Sequence, residues 1–111
     1  MNAVPLDQLV HATFAPLKGT RFHAQLSPDD RVELELIDVR QLTTHTPPNE
    51  ASNNSKRECF SLTFSGPITP HLSQNTYAFT HPQIGQFLLF MVPIGRTQQG
   101  FQYEVIFNRL T

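Results

Sequence analysis

Five histidines, one cysteine and a few carboxylates are the residues of this 111-residue chain whose types could support chemistry. His11, His23, His45, His71 and His81 carry metal-competent imidazoles, yet no two of them stand at i, i+2 or i, i+4. A zinc ion needs three or four nitrogen or sulfur ligands converging at about 2.0–2.3 Å. Cys59 is the only thiol that could complete such a set. The expectation is therefore no metal site, with all five histidines in loops or on the surface. His81, immediately before Pro82, is the one expected to make a structural hydrogen bond. Cys59 follows Lys56 and Arg57, and cationic neighbours lower the pKa of an exposed thiol. Its alternation with Phe60, Leu62 and Phe64 instead places it on the second face of a strand, as packing. Ser61 and Ser65 lack the sequence context of a nucleophile elbow. Asp29 and Asp30 belong to a turn. Glu33 and Glu35, about 6.5–7 Å apart along one strand face, have a spacing compatible with acid–base work, but alternation alone demands polar residues there. Glu104, between Tyr103 and Val105, is expected to pair with Arg96 or Arg109. Catalysis would require His81, Glu104, Arg96 or Cys59 to meet in a cleft. The expectation is that they do not: not an enzyme, with no catalytic, cofactor-binding or metal-binding residue and no cofactor.

Other function classes have weaker support still. The five glycines are dispersed, so no phosphate-cradling loop is present. Eight basic against nine acidic residues give a formal charge of −1, which sets up no field for nucleic acid or an anionic membrane. Aromatic residues do not interleave with basic ones as stacking platforms for single strands require. The run Phe87 to Ile94 is interrupted by Pro93 and is too short to cross a bilayer as a helix. Met1 to Val10 lacks the basic start and apolar run of a signal peptide, so a soluble cytoplasmic protein is the expectation.

The elements that would position these residues are strands. Arg21 to Leu26 alternates Phe22, Ala24 and Leu26 inward against Arg21, His23 and Gln25 outward, and Ser27-Pro28-Asp29-Asp30 is hairpin-turn chemistry. Arg31 to Leu42 carries Val32, Leu34 and Leu36 on one face, then changes phase at Ile37 and Val39. One phase change in a long strand predicts a β-bulge that lets it serve two parts of a closed sheet. Cys59 to Ser65, closed by Gly66-Pro67, buries Phe60, Leu62 and Phe64. Leu72 is tucked in after it. Asn75 to His81 points Tyr77 and Phe79 inward. Gly85 to Val92 is apolar on both faces, Phe87, Leu89 and Met91 against Leu88, Phe90 and Val92, and so is central in the sheet with a partner or cover on its outer side. Pro93-Ile94-Gly95 is expected to stop it. Phe101 to Asn108 ends the fold with Phe101, Tyr103, Val105 and Phe107 on one side. Ahead of the strands, Pro5 to Ala12 predicts a short helix whose Leu6, Leu9 and Val10 share a face. Phe14 and Leu17 extend that contact, and Pro16 and Gly19 end it.

Nine phenylalanines and 39% hydrophobic residues suffice for one core, so residues 1–111 read as a single domain. Within it, Thr43 to Glu58 is a polar segment with almost nothing to bury and reads as a mobile hairpin loop. The fold class is all-β: a small antiparallel barrel or partly open barrel of about six strands, up-and-down in connection, with a short N-terminal helix. A two-layer β-sandwich is the alternative.

The set Phe60-Ser61-Leu62-Thr63-Phe64-Ser65-Gly66-Pro67, Leu72, Gln74, Tyr77, His81-Pro82, Ile84-Gly85, Phe87, Leu89-Phe90, Val92-Pro93-Ile94-Gly95 and Tyr103-Glu104-Val105-Ile106-Phe107-Asn108-Arg109 resembles an uncharacterised family of short bacterial all-β domains of unknown function. The resemblance covers about the whole chain. It implies no reaction and no catalytic residues, and it implies a structural or accessory role beside phage-tail-collar-like proteins. The functional expectation is a non-enzymatic structural or protein-interaction module, offering a strand edge or the outer face of Phe87 to Val92 to a protein partner or to its own copy. The alternative is a small barrel that binds an apolar molecule between the sheet and the N-terminal helix.

Overall fold

Alternating apolar and polar residues build six strands: β1 (Arg21–Ser27), β2 (Asp30–Gln41), β3 (Arg57–Gly66), β4 (Asn75–His81), β5 (Gly85–Thr97) and β6 (Gly100–Leu110). The computed structural model describes residues 9–42 and 57–110, with only the backbone described for 57, 58 and 108–110. The strands close into an antiparallel barrel in the order β1-β2-β3-β6-β5-β4, with β4 returning to β1. The barrel expectation therefore holds and the sandwich alternative is not what forms. The connection differs from a plain up-and-down path, because β3 pairs with β6, not β4. The segment from Pro67 to Gln74 must then cross one end of the barrel to reach β4.

The predicted phase change in β2 is a bulge. Leu36 pairs with Phe64 and Asp38 with Thr63, leaving Ile37 as the extra residue. Before it, Glu35 is shared between Arg21 on β1 and Ser65 on β3. At it, Leu36 exchanges backbone hydrogen bonds with Gly19 and Thr20, at 2.7 and 3.0 Å, and beyond it β2 pairs with β3 alone. A bulge bends and twists its strand, so this one long strand turns the corner of the barrel.

Two boundaries depart from the sequence reading. The helix is not Pro5 to Ala12: residues 5–8 lie outside the described residues, Leu9 and Val10 are not helical, and α1 spans His11–Phe14, followed by a 3-10 turn over Ala15–Leu17. The side chain of Thr13 sets the start by accepting from the Val10 amide at 3.2 Å while the Thr13 amide returns to the Val10 carbonyl at 2.9 Å. Pro16 does not end the helical segment but sits in the first turn of the 3-10 piece, where its missing N–H costs nothing. Nor does Pro93-Ile94-Gly95 stop β5, which continues to Thr97 through a bulge between Pro93 and Gly95. A proline in a strand is tolerated at such a bulge because a ladder bond is already missing there. The expected polar loop 43–58 lies outside the described residues for 43–56, and Arg57 and Glu58 open β3.

The core fills the barrel from end to end. Phe14, Phe22, Phe60, Phe64, Phe79 and Phe87 are fully buried, with Leu34, Leu36, Leu62, Met91 and Tyr103 among them. At one end the ring of Phe14 stands within 5.6–6.4 Å of Phe22, Phe60, Phe87 and Phe107, which come from β1, β3, β5 and β6. The N-terminal segment is thus a stopper whose own helix is too short to persist without that burial. The opposite end is closed by the crossing segment: Leu72, 4% exposed, donates its amide to the buried Tyr103 hydroxyl at 2.9 Å.

Candidate functional site

Each residue that could support chemistry has a definite place, and the register keeps them apart. His11 packs edge-on against Phe60 at 5.8 Å. His23 lies on the outer face of β1, 3.6 Å from one oxygen of Glu33, whose other oxygen holds Arg21 at 2.6 Å. The Glu33 carboxylate also stabilises the Arg21 charge and raises its pKa. His71 is exposed and lies over Phe101, with ring centres 4.2 Å apart. His45 lies outside the described residues. Among the described residues no group of three or more His, Cys, Asp or Glu is arranged to hold a metal ion.

Cys59 is a free, half-buried thiol paired across the ladder with Asn108, and Lys56 lies outside the described residues. Ser61 is buried, between Arg40 on β2 and Ile106 on β6. Glu104 stands between Thr63 and Val92 in the register. The expected Glu104–Arg96 pair is not among the ion pairs of the described residues: Arg96 lies opposite Phe101 instead, its guanidinium 5.7 Å from that ring's centre. The Arg109 side chain is not described. Glu104 and Cys59 face outward at different levels of neighbouring strands, Arg96 belongs to the far hairpin, and His81 is inside the stopper end.

His81 corrects the surface expectation for the histidines. It is 4% exposed, with its ring 4.4 Å from that of Phe22. Its Nε2 is 3.0 Å from Thr20 Oγ1, and its Nδ1 accepts from the Gln83 amide at 3.1 Å. Burial pushes its pKa below the ordinary imidazole value. The expected structural hydrogen bond exists, but the partner Thr20 and the burial were invisible in sequence, because a histidine before a His-Pro turn gives no sign of the aromatic ring beneath it.

The feature the strands do assemble is apolar and outward. On β5 the inner residues Phe87, Leu89 and Met91 are buried, while Leu88 and Phe90 are 53% and 51% exposed. The run Gly85 to Val92 is thus doubly apolar, and of the expected cover or partner for its outer face, Leu88 and Phe90 have no cover among the described residues. The β5–β6 ladder begins at Val92↔Glu104 and runs to Thr97↔Gly100. Phe90 and Ile106 each stand one step past that first pair on the same outer face, and Ile106 is 58% exposed. Sequence patterning showed Leu88 and Phe90, which pair with Ala78 and Thr76 on β4, while Ile106 pairs with Ser61 on β3.

A sealed six-stranded antiparallel barrel, stoppered by its own N-terminal segment and carrying its unsatisfied apolar surface outside, defines the class: a small all-β domain filled by its own side chains. The chain belongs to the family described as a domain of unknown function, DUF6916, whose model matches residues 9–107. That match takes in the stopper, β1 to β5, and β6 as far as Phe107. No curated protein and no solved structure matches the chain. No helix among the described residues is long and apolar enough to cross a membrane.

Proposed function

We propose that this domain is a non-enzymatic protein-interaction module whose contact surface is the outer face of β5 and β6 around Leu88, Phe90 and Ile106. The observation that supports it is the half-exposed state of these three large apolar side chains, which lie on β5 and β6 beyond the Val92↔Glu104 end of their ladder. A strand pair that turns Leu, Phe and Ile to water gains by burying them, at about 25 cal/mol per Å² of apolar surface removed. A second copy of the chain is the favoured occupant, because a formal charge of −1 sets up almost no repulsion between copies and a two-fold contact would bury the strip twice. The apolar-ligand reading has less support, since fully buried rings occupy the barrel interior and Phe14 fills its mouth.

Light scattering on the size-exclusion peak, across a micromolar concentration series, tests the reading. The expected result is a dimer in the wild type and a monomer in Phe90→Ser with Leu88→Ser. Because both side chains are outside the core, the variant keeps its circular dichroism spectrum. A wild type that stays monomeric throughout the series overturns self-association through this face.

A further inference from the structure

The ridge that Leu88 and Phe90 form along the outer face of β5 has a groove beside it. Residues paired across an antiparallel ladder stand on the same face. Leu88 is opposite Ala78 and Phe90 is opposite Thr76, so each exposed large side chain has a small neighbour on β4 at its own level. On the far side of β4, Gln25 of β1 stands opposite Ala78 and is exposed, which gives the groove its second wall. A surface that is high along one strand and low along the next is complementary to itself. When two such sheets pack face to face about a two-fold axis parallel to their strands, β5 of each copy lies over β4 of the other and paired residues keep their level. We propose, resting on the reading of this surface as a self-association face, that two copies dock sheet on sheet with Leu88 of each seated on the partner's Ala78 and Phe90 on the partner's Thr76.

Charge selects the same face as the occupant. From Asn75 to Gly95 the chain has no Asp, Glu, Lys or Arg, so the outer face shared by β4 and β5 is uncharged along the whole of their ladder. The outer faces of the other strands are different. Arg21 and Glu33 form an exposed ion pair across β1 and β2, Asp38 and Arg40 meet farther along β2, and Glu104 stands on β6. Laying any of these on the ridge would take water from charged groups with nothing opposite to receive them, and that desolvation works against the apolar contact. A second β4–β5 face brings no charge and the right relief. The face is only two strands wide, so the dimer is a weak one that depends on concentration.

Sedimentation equilibrium on outer-face variants separates a fitted contact from a featureless apolar patch. Ala78→Leu adds apolar surface but fills the groove on both copies, so its dimer should dissociate about tenfold or more readily than wild type. A featureless patch would instead associate as tightly or more tightly. Leu88→Ala lowers the ridge and should also weaken the dimer about tenfold or more. Ala78→Leu combined with Leu88→Ala exchanges ridge and groove, and its dimer should return to within about threefold of wild type. A wild type that stays monomeric overturns this contact together with self-association through the face. A wild-type dimer that Ala78→Leu leaves intact, or a double variant no tighter than the weaker single one, overturns the ridge-in-groove contact alone. Should a variant not fold, a wild-type dimer mixed from isotope-labelled and unlabelled chains decides: filtered NOEs must join the Leu88 methyls of one copy to the Ala78 methyl of the other, and their absence overturns the contact.

Discussion

Tyr103 closes the barrel end opposite Phe14 with a ring and a hydroxyl that do separate work. The ring is fully buried beneath Gly66, where an added Cβ would stand 3.3 Å from Tyr103 Cε2 and 2.5 Å from Leu34 Cδ2. The hydroxyl accepts the Leu72 amide of the crossing segment at 2.9 Å. Replacing Tyr103 by Phe keeps the ring and orphans that buried N–H, and an unsatisfied buried donor costs about 1–3 kcal/mol. Urea unfolding of Tyr103→Phe should show a loss in that range with an unchanged m-value. No loss at all would mean that the amide finds another acceptor. A tucked Leu72 was legible in the sequence as a lone large apolar residue in a polar loop. The partner of its amide was not, since Tyr103 lies 31 residues away and meets it only through the crossing topology.

At the scale of elements, periodicity carried most of the information wherever one face of a strand is buried. Phe60, Leu62 and Phe64 alternate as expected, and so do Phe87, Leu89 and Met91. Even the break in period at Ile37 was readable, because shifting a strand by one residue swaps its faces and only an extra residue restores the pattern. Deleting Ile37 removes that device. Leu36↔Phe64, Asp38↔Thr63 and Val39↔Leu62 would then follow one another in a regular ladder, with Asp38 still facing outward, and what is lost is the bend that turns the barrel corner. The deletion should lower stability by about 1–3 kcal/mol through loss of that bend, while replacing Ile37 by Thr, which leaves the residue count and the bulge intact, should cost less. Calorimetry on the two variants separates the bulge from the side chain. Elements held by packing alone were harder to read. The helix boundaries slid because Thr13, not the apolar spacing, decides where the turn begins, and β5 outran Pro93 because a bulge accommodates the ring.

For the whole molecule, the sequence indicated a closed antiparallel sheet but not its order, since nothing local states that β3 should leave its successor and pair with β6. Ten consecutive residues, from Arg57↔Leu110 to Gly66↔Phe101, commit that long ladder, whereas closure rests on His23↔Thr80, Ala24↔Phe79 and Gln25↔Ala78. Two buried titratable groups sit at the two ends of this barrel, His81 at the stopper and Tyr103 under the crossing segment, and together they shape how stability follows pH. His81 has its folded pKa lowered by burial, so between that value and about 6.5 the unfolded chain binds a proton the folded chain refuses. Its contribution is complete above about pH 6.5 and is lost as pH falls below it. Tyr103 has its pKa raised, first by burial, so the unfolded chain releases a proton the folded chain keeps. Its contribution is complete below about pH 10 and is lost as pH rises beyond. Urea midpoints across a pH series should therefore form a plateau between these limits, with a falling acid limb that flattens in His81→Gln and a falling alkaline limb that flattens in Tyr103→Phe. An acid limb that survives the His81 substitution at full slope would show that the stopper end does not set the molecule's acid stability.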